Sequence, residues 1–188
     1  VKYMPHPNTL ENGNTVLLVV DVQEAFRDPI GNFAIIASNI ARAATGFGML
    51  RVPVIVTEQY PKGLGPTAEE IRFSLPEGFA SIEKSSFSAF GSADVRIKLE
   101  DLKAKQVVLC GVETHVCINQ TAHDLIHAGY AVHLLTDCVG SRFDHDKVAG
   151  LEKMRASGVI SSSVELALFE LMGDADHAKF KEIQALIK

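Results

Sequence analysis

Six short apolar runs, separated by stretches of helical periodicity, restrict this chain to very few folds. They are TVLLVVD (15–21), VPVIVTE (52–58), FASIEK (79–84), QVVLCGV (106–112), AVHLLTD (131–137) and GVISSS (158–163). Several are apolar at almost every position, so both faces of such a strand need cover. Helical patterns fall between and after them, at about 33–50, 92–104, 117–128, 144–156, 163–172 and 177–187. This alternation predicts a three-layer, doubly wound α/β fold. Its sheet is six-stranded and mostly parallel, with helices on both faces. No linker, repeat or low-complexity tract interrupts the pattern, so residues 1–188 read as one domain. One long irregular segment, QYPKGLGPTAEEIRFSLPEG, joins the second and third strands, and segments of that length are often lids or assembly loops.

Charge and cysteine usage narrow the function classes. A formal net charge of -5 disfavours nucleic acid or an anionic membrane surface as partner. The apolar runs are of strand length, too short to span a bilayer. Cys110, Cys117 and Cys138 are an odd number without a Cys-x-x-Cys pair, which points to a reducing compartment. The expected location is cytoplasmic. An organellar one stays open, because the chain begins at Val1 and a removed leader leaves no trace in it.

Open α/β sheets bind ligands at the carboxyl ends of their strands, where strand order reverses. Asp21 ends the first strand, Glu58 the second, Lys84 the third and Asp137 the fifth. The fourth runs through GVETHVCINQTAHDL, which sets Cys117 at the opening of the next helix. The N–H groups and dipole of a helix N-terminus stabilise a thiolate, so that position suits a nucleophile. A carboxylate, an ammonium and a thiol are thus expected on one rim. Each also has a plain reading: Asp21 as a cap, Lys84 as a solvated charge, Cys117 as a small core residue.

DVQ after strand one, EKSSFSAF after strand three and GVETHVCINQTAHDL after strand four together resemble the isochorismatase-like cysteine hydrolase family. Nicotinamidases and carbamoylsarcosine-type amidohydrolases belong to it. The resemblance runs from about residue 15 to 172. TEQYPKGLGPT and GDADHAKFKEIQALIK resemble still more closely its eukaryotic isochorismatase-domain-containing branch. The likeness implies a Rossmann-like strand order and a catalytic triad of Asp21, Lys84 and Cys117. Asp21 would be the general base, Lys84 its counter-ion, and Cys117 the nucleophile on an amide, imide or ureide carbonyl. It further implies a non-proline cis peptide at Val112–Glu113, with the backbone N–H groups of Glu113 and Cys117 as oxyanion hole. A homo-oligomer, dimer or tetramer, acting on a small-molecule substrate is implied too. Phe26, Tyr60, Phe87 and Phe90 lie near the expected rim as pocket walls or as core packing, and Gln23, Glu58, Val112 and Thr114 complete the pocket candidates.

The chain departs from the family twice. Nicotinamidases carry Asp-x-His and a further His after strand two, whereas TEQYPKGLG has no histidine, so no metal is expected. Isochorismatases proper lack the cysteine and cleave a vinyl ether, so Cys117 argues against that reaction. HDLIH (123–127) imitates a zinc-protease motif, yet Ile118, Thr121, Ala122, Leu125 and Ile126 form the apolar stripe and leave both histidines on the polar face. Neither a third glycine after GFG (46–48) nor a P-loop is present, so no cofactor is expected. Two other readings remain: an idle binding or scaffold protein assembling through its long loop and C-terminal helix, and a thiol redox sensor using Cys117.

Overall fold

The computed structural model describes residues 6–188. Its six strands are β1 (Thr15–Val20), β2 (Val54–Gln59), β3 (Ile82–Lys84), β4 (Gln106–Val112), β5 (Ala131–Gly140) and β6 (Ile160–Ser162). All pairings are parallel, in the order β3-β2-β1-β4-β5-β6. The order reverses between β1 and β4, and β1 is buried along its whole length.

Helices α1 (Phe33–Met49), α7 (Val164–Met172) and α8 (Phe180–Ile187) cover one face, where Leu17, Val19, Val108 and Leu135 meet Phe33, Ile40 and Leu168. Helices α4 (Ala93–Asp101), α5 (Asn119–His127) and α6 (Asp144–Ala156) cover the other, over Val16, Leu18, Leu109 and Leu134. The alternation of odd and even residues between the two cores is the period-2 geometry of a strand.

Three boundaries differ from the sequence reading. The edge strands β3 and β6 have three residues each, because only those residues of each run pair with the neighbouring strand. β5 continues past Asp137 to Gly140 through an irregularity: between the pairs Leu109↔Leu134 and Gly111↔Val139, two steps of β4 face five of β5. The irregular segment contains two one-turn helices, α2 (Pro61–Leu64) and α3 (Glu69–Arg72). Ala68 N–H donates to Val22 O at 2.8 Å, and the Arg27 guanidinium donates to both Glu24 and Glu70. These contacts hold the segment against the end of β1.

His133, on the α1 side of β5, is fully buried, and both ring nitrogens lack a partner among the described residues. Burial disfavours its charged form and lowers its pKa from 6.5 to about 4. As pH falls from 6.5 towards 4, the unfolded chain takes up a proton that the folded chain refuses, so stability declines across that window. The loss amounts to about 3 kcal/mol at its acid end. His133→Leu is expected to remove this slope, read as the difference between variant and wild-type urea midpoints at pH 7, 5.5 and 4. Parallel pH profiles would contradict it.

Candidate active site

β1 ends on Asp21, whose backbone lies in the left-handed region (φ 56) and is held by a hydrogen bond from its N–H to Thr57 O at 3.1 Å. A non-glycine residue adopts that conformation only where its surroundings demand it. The turn directs the carboxylate towards the neighbouring strands. Thr57 Oγ1 donates to Asp21 Oδ1 at 2.7 Å, and Lys84 Nζ donates to Asp21 Oδ2 at 2.6 Å. Both side chains of that ion pair are 1% exposed. Lys84 Nζ also reaches Gln59 Oε1 at 2.7 Å, Ser86 O at 2.9 Å and Phe87 O at 3.2 Å. Four acceptors around one ammonium leave it no spare donor. A buried pair so fully partnered is costly to desolvate yet fixed in position.

β4 approaches β1 too closely for a side chain at its end. Gly111 has φ 128, and a Cβ there would overlap the Val20 carbonyl. The Val112–Glu113 peptide that follows is cis. Thr114–Ile118 then forms a π-helical turn, in which Val116 and Ile118 N–H both return to Glu113 O. Cys117 therefore lies inside this turn rather than at the mouth of α5, and α5 itself starts at Asn119. Helix α6 packs on the turn: a Cβ on Gly150 would stand 3.0 Å from His115 Cα.

The thiol is 7% exposed and faces the Asp21–Lys84 pair. The expectation of a thiolate stabilised by the helix N-terminus is overturned here. Burial first, and the Asp21 carboxylate second, push the Cys117 thiol up to about 12, although Lys84 pulls it down. Burial also raises Asp21 above the ordinary carboxylate value against the pull of Lys84 and Thr57. The set is thus a thiol whose ionisation burial opposes, beside a carboxyl group made more basic by its surroundings, an arrangement suited to proton transfer during attack.

The other expected residues are distributed differently. Gln23 is fully buried: its amide donates to Gln59 O and Gly65 O and accepts from Gln59 N–H, tying β2 to the loop above β1. Glu58 faces away from Asp21 and Lys84 and accepts from Thr67 N–H and Oγ1. Phe26 packs on the α1 core, and Phe90 packs edge-on against Tyr130 with ring centroids 5.8 Å apart. Val112 and Thr114 are fully buried. Of the four expected aromatic residues, Tyr60 (63% exposed) and Phe87 (56%) present rings to solvent.

Glu113 accepts from Arg142 N–H and Nε, each at 3.0 Å, bracing the turn that carries Cys117 against the end of β5. His115 bonds Ser141 Oγ at 3.0 Å through Nδ1. Asp137 stands apart, its carboxylate accepting from Val164 N–H at the start of α7. His123 and His127 lie on the outer face of α5, and among the described residues no three His, Cys, Asp or Glu side chains converge. Thr57 and Gln59, which bind the acid and the ammonium, were not singled out from sequence. Strand alternation carried the signal, because the residues on either side of Glu58 share the opposite face.

This all-parallel α/β sheet, with its acid, ammonium and thiol at the switch point, defines an isochorismatase-fold protein. The isochorismatase domain model matches residues 15–165, and the chain belongs to that family. It is 42% identical over 179 residues to isochorismatase domain-containing protein 2 of Danio rerio, covering 95% of this chain and 89% of that one. Among solved structures it resembles the MAR1 ribonuclease from Caenorhabditis elegans, with TM-score 0.90, 37% identity and coverage of 95% and 92%. The fold also matches the YcaC gene product of Escherichia coli, an octameric hydrolase of unknown specificity. That match has TM-score 0.88 and 20% identity, covering 98% of this chain and 92% of the other.

Proposed function

We propose that this chain is a metal-independent cysteine hydrolase that cleaves the C–N bond of a small amide, imide or ureide. The observation that carries this reading is the buried Asp21–Lys84 pair at 2.6 Å beside the Cys117 thiol, whose ionisation burial opposes. Asp21 takes the Cys117 proton as Sγ attacks the carbonyl carbon, and the Glu113 and Cys117 N–H groups receive the oxyanion. Collapse expels the amine with the proton from Asp21 and leaves a thioester. Asp21 then takes a proton from water, which attacks the thioester. The C–S bond breaks, the acid leaves, and the thiol regains its proton. Lys84 keeps Asp21 ionised between the two halves.

The test is a panel of primary amides, cyclic imides and ureides, with amine release followed at pH 7.5 and acid-quenched protein weighed intact. An acyl adduct on wild type, absent in Cys117→Ala together with turnover, is expected. Turnover surviving in Cys117→Ala would remove the mechanism. EDTA is expected to leave the rate unchanged, and inhibition reversed by zinc would contradict a metal-independent site.

A ribonuclease reading, taken from the Caenorhabditis elegans neighbour, finds less support. A phosphodiester needs free cationic donors, whereas the Lys84 donors are all taken and the chain carries a net charge of -5. We also read the protein as a homo-oligomer, in keeping with the octameric E. coli neighbour. A monomer by light scattering at assay concentration would refute it. Three free, buried cysteines fit a reducing compartment such as the cytoplasm.

A further inference from the structure

The candidate active site lies at the carboxyl ends of the strands. At the opposite end of β2, roughly 20 Å away along that strand, is a separate cavity of about 580 Å³. The second half of α1 forms its floor, through Ala44, Thr45 and Gly48; Val52 and Val54 form one wall, and Leu75 and Phe79 the other. Its volume is ordinary for a small-molecule site.

Three observations point to what it holds. The first is α1 itself, which contains two glycines, each costing a helix about 1 kcal/mol relative to alanine. Gly46 has a packing reason, since a Cβ there would lie 2.7 Å from Leu168 Cδ2. Gly48, exposed in the last turn, has none within the protein: a Cβ there meets nothing within 4 Å, and the residue lines the cavity. The second is the commitment of the lining hydroxyls. Thr45 Oγ1 donates to Ala41 O at 2.9 Å and Ser74 Oγ to Ile71 O at 2.7 Å, so neither needs a ligand or water. A cavity whose interior hydroxyls are already satisfied gains by taking up an apolar guest. The third is Arg51 at the rim. It is exposed, and among the described residues it has no ion-pair partner. In a chain of net charge -5 an unpaired cation at the mouth of an apolar cavity selects for an anionic end group.

We propose that this cavity binds an apolar small molecule with one anionic end, of the class of a medium-chain carboxylate. The tail lies between α1 and the 74–79 loop, and the carboxylate meets Arg51. The proposal is independent of the cysteine-hydrolase reading, because no residue of the triad lines the cavity.

Calorimetric titration of the full chain with decanoate and with decanol, both below aggregation, tests it. Wild type should bind decanoate saturably at one site. Gly48→Leu fills the space from an open helix position and should weaken decanoate about tenfold or more, with a thermal midpoint no lower than wild type. Arg51→Asn keeps a residue tolerant of φ 59 and should weaken decanoate while leaving decanol unchanged. Cys117→Ser should bind like wild type. The site is overturned by absence of saturable decanoate binding, by undiminished binding in Gly48→Leu, or by loss confined to Cys117→Ser. Undiminished decanoate binding in Arg51→Asn overturns the anionic specificity.

Discussion

Asp21→Asn is expected to lose turnover by on the order of 10²- to 10⁴-fold while its Cys117 reacts faster with iodoacetamide than wild type does. The two effects part because the proposed mechanism gives the carboxylate two roles. As a base it accepts the thiol proton during attack, and an amide cannot. As an anion beside Cys117 it is one of the causes that push the thiol up to about 12. Asparagine removes that anion and leaves the Lys84 ammonium, which favours the thiolate. Each unit by which the pKa falls raises the thiolate fraction about tenfold. Lower intrinsic nucleophilicity returns part of this, so labelling should accelerate by roughly threefold per unit.

Lys84→Met should act in the opposite sense on labelling, because it removes the one group that draws the thiol down. Alkylation followed by intact mass from pH 6.5 to 9.5 reads both variants against wild type. Labelling slowed equally in both would mean that Asp21 does not act on Cys117 as an anion at all, and the proton-transfer scheme would fall with it.

Gly111→Ala should be among the most damaging single-methyl additions available to this chain. The new Cβ overlaps the Val20 carbonyl, and φ 128 is a conformation that alanine rarely adopts. Backbone strain alone is about 1–3 kcal/mol. Displacing a central strand adds to it, so a loss of several kcal/mol is expected. For a chain of this size that lowers the melting midpoint by about 10 °C or more. Gly31→Ala is the matched control, since its Cβ meets nothing within 4 Å and its φ is ordinary. A midpoint for Gly111→Ala within a few degrees of that control would show that β1 and β4 can separate freely. Any folded remnant should also have lost the register that sets Asp21 opposite Cys117, and with it turnover.

The fold was legible because strands covered on both faces must be apolar at successive positions, and six such runs separated by helical patterns leave few architectures. That Asp21 and Lys84 would meet at the rim was legible for a related reason. An ionisable residue closing an apolar strand, as Asp21 and Lys84 do, is confined to the rim, where doubly wound sheets bind ligands. Which side of the rim each neighbour faces was not legible. Asp137 and Glu58 close apolar runs as Asp21 does, yet one caps α7 and the other anchors Thr67.

Sequence by itself determined the element order, the parallel sheet and the placing of Asp21 and Lys84 at strand ends, because these follow from local periodicity and from where a charge can sit. Tertiary structure alone decided that Thr57 and Gln59 hold the acid and the ammonium, and that Gln23 is a buried brace. It alone decided that burial pushes the Cys117 thiol up, and that α1 and the 74–79 loop line an open cavity. Each of these depends on distance and burial between residues remote in the chain: 36 positions separate Thr57 from Asp21, and 63 separate Lys84 from it. A pKa is set by whichever charges the fold brings within a few ångströms, and no local pattern records that.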